Sequence, residues 1–203
     1  RHAAAAASGL LLAAAFPPFE WGWAAWVALV PLLAAVRGGG VRAAARLGFL
    51  AGAAFWLPSI FWLTRVTVVG WALLSLYCAL YTIPFAVCAA WLTRPGAEEA
   101  PAWRLRALLI LTAAWTGFEF LRSVLFTGFA WNPLAVSQYR NLMLIQHAEW
   151  GGTAAVSALV AWVNVTAALA LFGFARRRAG AVRFQPEVSL GLLVVVFAAF
   201  GGW

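Results

Sequence analysis

The chain has 203 residues, of which 65% are hydrophobic and only 10% charged, with a net charge of +8. Soluble domains run at roughly half apolar and about a quarter charged, so this composition excludes an ordinary soluble domain and points to a bilayer. The positive charge is spread over separate loops rather than gathered on one face, so it is no sign of a nucleic-acid surface.

A bilayer core of about 30 Å takes roughly 20 apolar residues per helix, and seven candidate spans follow in chain order. Residues 3–19 and 21–36 are short and meet at Pro17-Pro18, as either a tight outward hairpin or a partly re-entrant element. Residues 43–63 form the third span. Its Gly48 and Gly52 either admit a neighbouring helix closely or reflect the ordinary glycine content of membrane helices. The fourth span is 66–92, the fifth 105–126, the sixth 152–174 and the seventh 188–203. Pro58 and Pro84 each remove a backbone donor and are expected to bend the third and fourth spans. Cys78 and Cys88 lie ten residues apart in one apolar run, about 15 Å along a helix, too far for a disulfide; both read as small packing residues.

The arginines orient these spans. Eleven of the fourteen lie in alternate breaks: Arg1; then Arg37, Arg42 and Arg46; then Arg94, Arg104 and Arg106; then Arg176, Arg177, Arg178 and Arg183. The intervening breaks hold only Arg65 and Arg140, while Arg122 lies inside a span. Cytoplasmic loops retain Lys and Arg, so the N-terminus is expected inside and the far end of the seventh span outside. Trp21, Trp23, Trp62, Trp71, Trp131, Trp150 and Trp203 then fall at outer boundaries, where indole rings prefer to sit, and Trp91 and Trp103 at the inner one.

Chemistry concentrates in residues 118–150. Glu119 and Arg122 sit three apart, on one helical face of the fifth span, about 10 Å and 6 Å below its outer edge at 1.5 Å per residue. An ionised side chain at the bilayer centre costs roughly 2.5–3.5 kcal/mol, so the two are expected to pair and to face the bundle interior or a wet cavity. They form either a structural ion pair or a lipid-headgroup or substrate-facing site. After Phe126 the chain stays outside over 127–151, far longer than the other outer turns. It mixes apolar residues with Gln138, Arg140 and other polar ones, as a segment lying in the interface would. Arg140 either meets a lipid phosphate or snorkels. His147 has no second His, Cys or Asp nearby, so no metal site is expected. No covalent catalytic centre is expected either, because neither cysteine has a base within a turn.

These residues carry a resemblance. The chain resembles the N-terminal membrane domain of bacterial apolipoprotein N-acyltransferases, the last enzymes of lipoprotein maturation. The matching pieces are Phe16-Pro-Pro-Phe19 with Trp23 and Trp26, then Gly48-Phe-Leu-Ala-Gly52. The most specific run is Glu119-Phe-Leu-Arg122 leading into Phe126-Thr-Gly-Phe-Ala-Trp131 and Ser137-Gln-Tyr139, then Leu144-Ile-Gln146, Glu149-Trp-Gly151 and Val160-x-x-x-Asn164. The family usually has Gly where this chain has Ser123, and Pro where it has Ala130.

The resemblance implies an all-α, polytopic bundle in the bacterial inner membrane, with its C-terminal end on the periplasmic side. It implies that a nitrilase-like domain follows the seventh span. That domain takes an acyl chain from a phospholipid onto a cysteine, using a Glu, Lys and Cys, then passes it to the amino terminus of a diacylglyceryl lipoprotein. This chain has no lysine, so it cannot hold that triad, and it is expected to be the membrane half alone, without a cofactor. By the same resemblance, Glu119, Arg122, Gly128, Phe129, Trp131, Gln138, Tyr139 and Arg140 are candidates for contacts to lipid or substrate. Two other classes stay open. A small transporter or channel would need polar residues recurring on facing helices, and Thr82, Thr112, Thr116, Ser157 and Asn164 are scattered. A non-catalytic scaffold would look the same over these residues.

Overall fold

The computed structural model describes residues 1–96 and 100–177, together with positions 191 and 193. Its elements are α1 (His2–Ala14), α2 (Val30–Val36), α3 (Val41–Ser59), α4 (Val68–Leu80), α5 (Thr82–Leu92), α6 (Pro101–Val124), α7 (Leu142–Ile145) and α8 (Ala148–Arg177). Short 3-10 turns occupy Gly22–Trp26, Phe61–Arg65 and Leu134–Gln138. No strand interrupts this all-helical chain among the described residues.

Three of the helical runs are long and apolar enough to cross a membrane: Val68–Leu92, Pro101–Val124 and Ala148–Phe174. His2–Ala14 and Gly22–Val36 are apolar but shorter. The two expected spans at 3–19 and 21–36 are therefore a 13-residue helix and a seven-residue one, with irregular backbone between them. The segment 21–36 thus combines the 3-10 turn Gly22–Trp26 with α2. The expected seventh span, 188–203, lies outside the described residues apart from positions 191 and 193.

Proline sets two of the observed boundaries. Pro58 lies one residue before the end of α3, so the expected span at 43–63 divides into a helix and the 3-10 turn Phe61–Arg65. Pro84 cannot donate to the carbonyl of Leu80, and the run 66–92 divides at Tyr81 into α4 and α5. At the start of α4 the Thr67 hydroxyl accepts from the Gly70 amide at 3.2 Å, a side-chain cap that begins the helix at Val68. Helix α6 starts at Pro101, four residues before the expected 105, since proline suits a first turn that needs no donor. Within α8, Gly151 and Gly152 are non-helical, so the continuous part runs over 153–177, against the expected 152–174.

Helix α3 is central, packing against α1, α4 and α5, while α6 packs against α5 and α8. Lipid tails are as apolar as leucine, so helices in a bilayer associate through close packing rather than through the hydrophobic effect. Small residues supply it here. A side chain at Gly48 would meet the Ala86 Cβ at 2.6 Å and the Thr82 carbonyl at 2.9 Å; one at Gly52 would meet Ala79 Cα at 2.8 Å. The Gly48/Gly52 spacing is thus a close-approach face, set against the α4–α5 junction.

The breaks fall at two ends. Arg1 donates to the Arg37 carbonyl at 3.4 Å, Gly38 lies beside Pro95, and the Arg37 guanidinium sits 4.7 Å over the Phe172 ring. Arginine-bearing breaks therefore gather at one end. Trp62 meets Trp131 at 5.6 Å, and Tyr139 donates to Glu20 at 2.9 Å, which gathers the other loops at the opposite end.

Candidate functional site

The last turns of α6 place Glu119 and Arg122 on one face; Arg122 is only 3% exposed and Glu119 is half-buried. One Glu119 carboxylate oxygen accepts from the Trp115 indole at 2.8 Å and from the Leu134 backbone amide at 2.8 Å. The Ser157 hydroxyl on α8 accepts from the next amide, that of Ala135, at 3.0 Å. Arg122 donates to the Phe129 carbonyl and lies 4.6 Å over the Trp56 ring. The expected direct pairing of the two charges is not found: among the described residues no Glu119–Arg122 ion pair forms. Each charge instead holds a different part of the following loop, Arg122 at residue 129 and Glu119 at residue 134.

Helix α6 ends in a tight reversal. The Phe129 amide donates back to the Arg122 carbonyl at 2.8 Å, and Gly128 adopts φ +71, a region that favours glycine. A side chain at Gly128 would also press on the Ser123 carbonyl. Phe129 then stacks on Trp131 at 6.2 Å and meets the edge of Trp56 at 5.9 Å. Five candidates (Glu119, Arg122, Gly128, Phe129 and Trp131) thus form one cluster at the end of α6. It borders a narrow cavity of about 30 Å³ that reaches Cys78, Tyr81, Thr82, Trp115 and Asn132.

The other three candidates form a second group. Gln138 is buried, accepting from the Trp26 indole at 3.0 Å and donating to the Gly22 carbonyl at 2.8 Å. Its amide is spent on joining the turn Leu134–Gln138 to the turn Gly22–Trp26. Tyr139 and Arg140 both reach Glu20, the tyrosine by a hydrogen bond and the arginine as an ion pair. The segment 127–151 is therefore less an outer loop than a folded cap, with Leu134, Gln138, Leu144 and His147 buried. Tyr139 and Leu142 stay exposed, as an interfacial segment requires.

Several contributors were missed in the sequence. Trp115 lies one turn before Glu119, so its spacing was a readable signal. Trp56, Ser157 and Asn132 come from other elements, and nothing local marks them. Asn164 joins α8 to the stretch before α2: its carbonyl accepts from the Leu29 amide at 2.8 Å and its amide donates to the Ala25 carbonyl at 2.8 Å. These are backbone groups of the irregular stretch before α2. In a bilayer they must be satisfied within the protein.

The cluster can hold and orient a polar group at the end of an apolar span. Cys78 borders the same cavity, but the Glu119 carboxylate accepts from Trp115 and Leu134, leaving the thiol without a positioned base. Among the described residues no group of three or more His, Cys, Asp or Glu side chains could hold a metal ion.

Residues 8–166 match the family model described as the apolipoprotein N-acyltransferase N-terminal domain. The chain is 36% identical over 205 residues to the apolipoprotein N-acyltransferase of Geobacter metallireducens, covering 96% of this chain and 38% of that protein. It is 34% identical to the one from Rhodopirellula baltica, over 95% of this chain and 35% of that protein. With the one from Gloeobacter violaceus the identity is 32%, over 87% and 35%. The chain thus spans little more than a third of the length of the curated relatives it matches.

Proposed function

The chain belongs to the apolipoprotein N-acyltransferase N-terminal domain family, and from that premise we propose that it is the membrane domain of an enzyme that N-acylates lipoproteins. Its role is to anchor a nitrilase-like catalytic domain and to admit two lipid substrates, phospholipid as acyl donor and diacylglyceryl lipoprotein as acceptor. Seven spans, an N-terminus in the cytoplasm and a bacterial inner-membrane location complete this reading. The observation that carries it is the cluster at the end of α6. There a buried Arg122 and a half-buried Glu119 fix the cap 127–138 over an apolar bundle. A cap held in this way gives polar headgroups a defined floor at the edge of the membrane.

The test is N-acylation in vitro, with phospholipid and a diacylglyceryl peptide as substrates. The chain would be assayed alone and as a chimera in which it replaces the matching part of the Geobacter relative. Activity is expected in the chimera only. Turnover by the chain alone would mean that it holds its own catalytic centre. In the chimera, Arg122→Ala should lower acylation while the protein still folds, and normal turnover in that variant would remove Arg122 from the proposal. A folded but inactive chimera would favour the non-catalytic scaffold.

A further inference from the structure

The interruption at Tyr81 leaves a second feature. Helix α4 packs on α3, and α5 packs on both α3 and α6. Beside α4, the last turns of α6 therefore border an apolar groove of about 320 Å³. Its walls are Leu80 and Pro84 on one side and Leu121, Leu125 and Phe126 on the other. Four of these five, Pro84 being the exception, are among the exposed large apolar side chains, so the groove opens outward from the bundle. The hydroxyls of Tyr77 and Tyr81 bond each other, which leaves their rings as the surface presented to it. The Phe126 ring meets Tyr77 edge-on at 5.9 Å and closes one end.

The groove does not stand alone. Tyr81 and Phe118 border both it and the cavity of Arg122, so an apolar track and a buried cation are contiguous. A guanidinium offers five N–H donors. Arg122 spends one donor on the Phe129 carbonyl and lies over the Trp56 ring, and the Glu119 carboxylate, one helical turn away on the same cavity wall, makes no ion pair with it. A buried cation so placed is complementary to an anion with several acceptor oxygens, and a phosphate diester is such a group.

We propose that one acyl chain of a membrane phospholipid lies in the groove between α4 and α6, with its headgroup phosphate turned into the cavity at Arg122. The proposal rests on the reading that this domain handles phospholipid, and it names the helices and side chains that take the chain and the head. Tyr81 and Phe118 are then the neck between the two parts, where the molecule changes from apolar to charged. The shared wall fits a single chain with its head attached, and a free anion would leave the groove without an occupant.

Photo-crosslinking tests this on the chain purified in detergent. One probe is a phosphatidylethanolamine with a diazirine midway along one acyl chain; the other is a diacylglycerol with the same tail. Crosslinks from the first should concentrate on Leu80, Leu121 and Leu125. Leu121→Trp and Leu125→Trp should each lower that labelling several-fold while labelling of α8 persists. Arg122→Gln should abolish the preference for the phosphate-bearing probe, and Arg122→Lys should largely retain it. Labelling spread evenly over α4, α6 and α8, or unmoved by the tryptophan substitutions in a folded protein, would overturn the groove. Equal labelling by the diacylglycerol probe would overturn the role of Arg122. An active chimera with scattered crosslinks sinks this site alone, whereas focused crosslinks in an inactive chimera sink only the acyltransferase reading.

Discussion

A single carboxylate oxygen of Glu119 receives two hydrogens, one from the indole of its own helix and one from a backbone amide of the cap. Removing that oxygen orphans the Leu134 amide in an apolar setting. Hydrogen bonds between membrane helices average only about 0.6 kcal/mol, but leaving a buried donor unmade costs about 1–3 kcal/mol. Glu119→Ala should therefore lower the unfolding midpoint in detergent clearly. Glu119→Gln keeps an acceptor oxygen at the same reach and should lower it less. Equal midpoints for Ala and wild type would show that the carboxylate does not hold the cap. At this scale the shared face of Glu119 and Arg122 was legible, because it depends on helical spacing alone, whereas their direct pairing was expected and is not found. The separate partners of the two charges were not legible, since Phe129 and Leu134 reach them only after the reversal at Gly128.

Among the elements, α3 and the α4–α5 junction show how a membrane protein uses residues that a soluble core would find too small. A Cβ at Gly52 would fall 2.8 Å from the Ala79 Cα, the Ala79 carbonyl and the Thr82 hydroxyl, and the first two are backbone that cannot turn aside. Gly52→Val should destabilise the bundle by about 1–3 kcal/mol, the usual cost of overpacking. Gly117 on α6 is the matched control: a Cβ there would meet nothing within 4 Å, and alanine should be neutral or stabilising by up to about 1 kcal/mol. Thermal unfolding in detergent compares the two. A Gly52→Val protein as stable as Gly117→Ala would mean that the helices separate at no cost. The Gly-x-x-x-Gly spacing was readable in advance, but its partner helix was not. The division of 66–92 at Tyr81 was foreshadowed by Pro84, whereas the brevity of α2 was hidden by the unbroken apolar run 21–36.

Over the whole molecule, the bundle has one end with arginine-bearing breaks and another with the aromatic cap. The positive-inside rule assigns the first to the cytoplasm. In a bacterial host, Gly40→Cys should react with a membrane-impermeant thiol reagent only after permeabilisation, and Thr127→Cys in intact spheroplasts. Both positions are exposed, while the native Cys78 is buried and Cys88 half-buried, which keeps background labelling low. The reverse pattern would invert the proposed topology. The sequence by itself determined the membrane class, the helical content and the position of the three long apolar helices. Each is a sum of hydrophobicity or charge along a short stretch of chain. Only the tertiary structure decided what the polar residues are for. Gln138 meets Trp26 across 112 positions, and Asn164 satisfies Leu29 across 135. The need behind those contacts is local, an unpaired backbone group at a helix break, but the side chain that meets it is chosen by which helices the packing brings together.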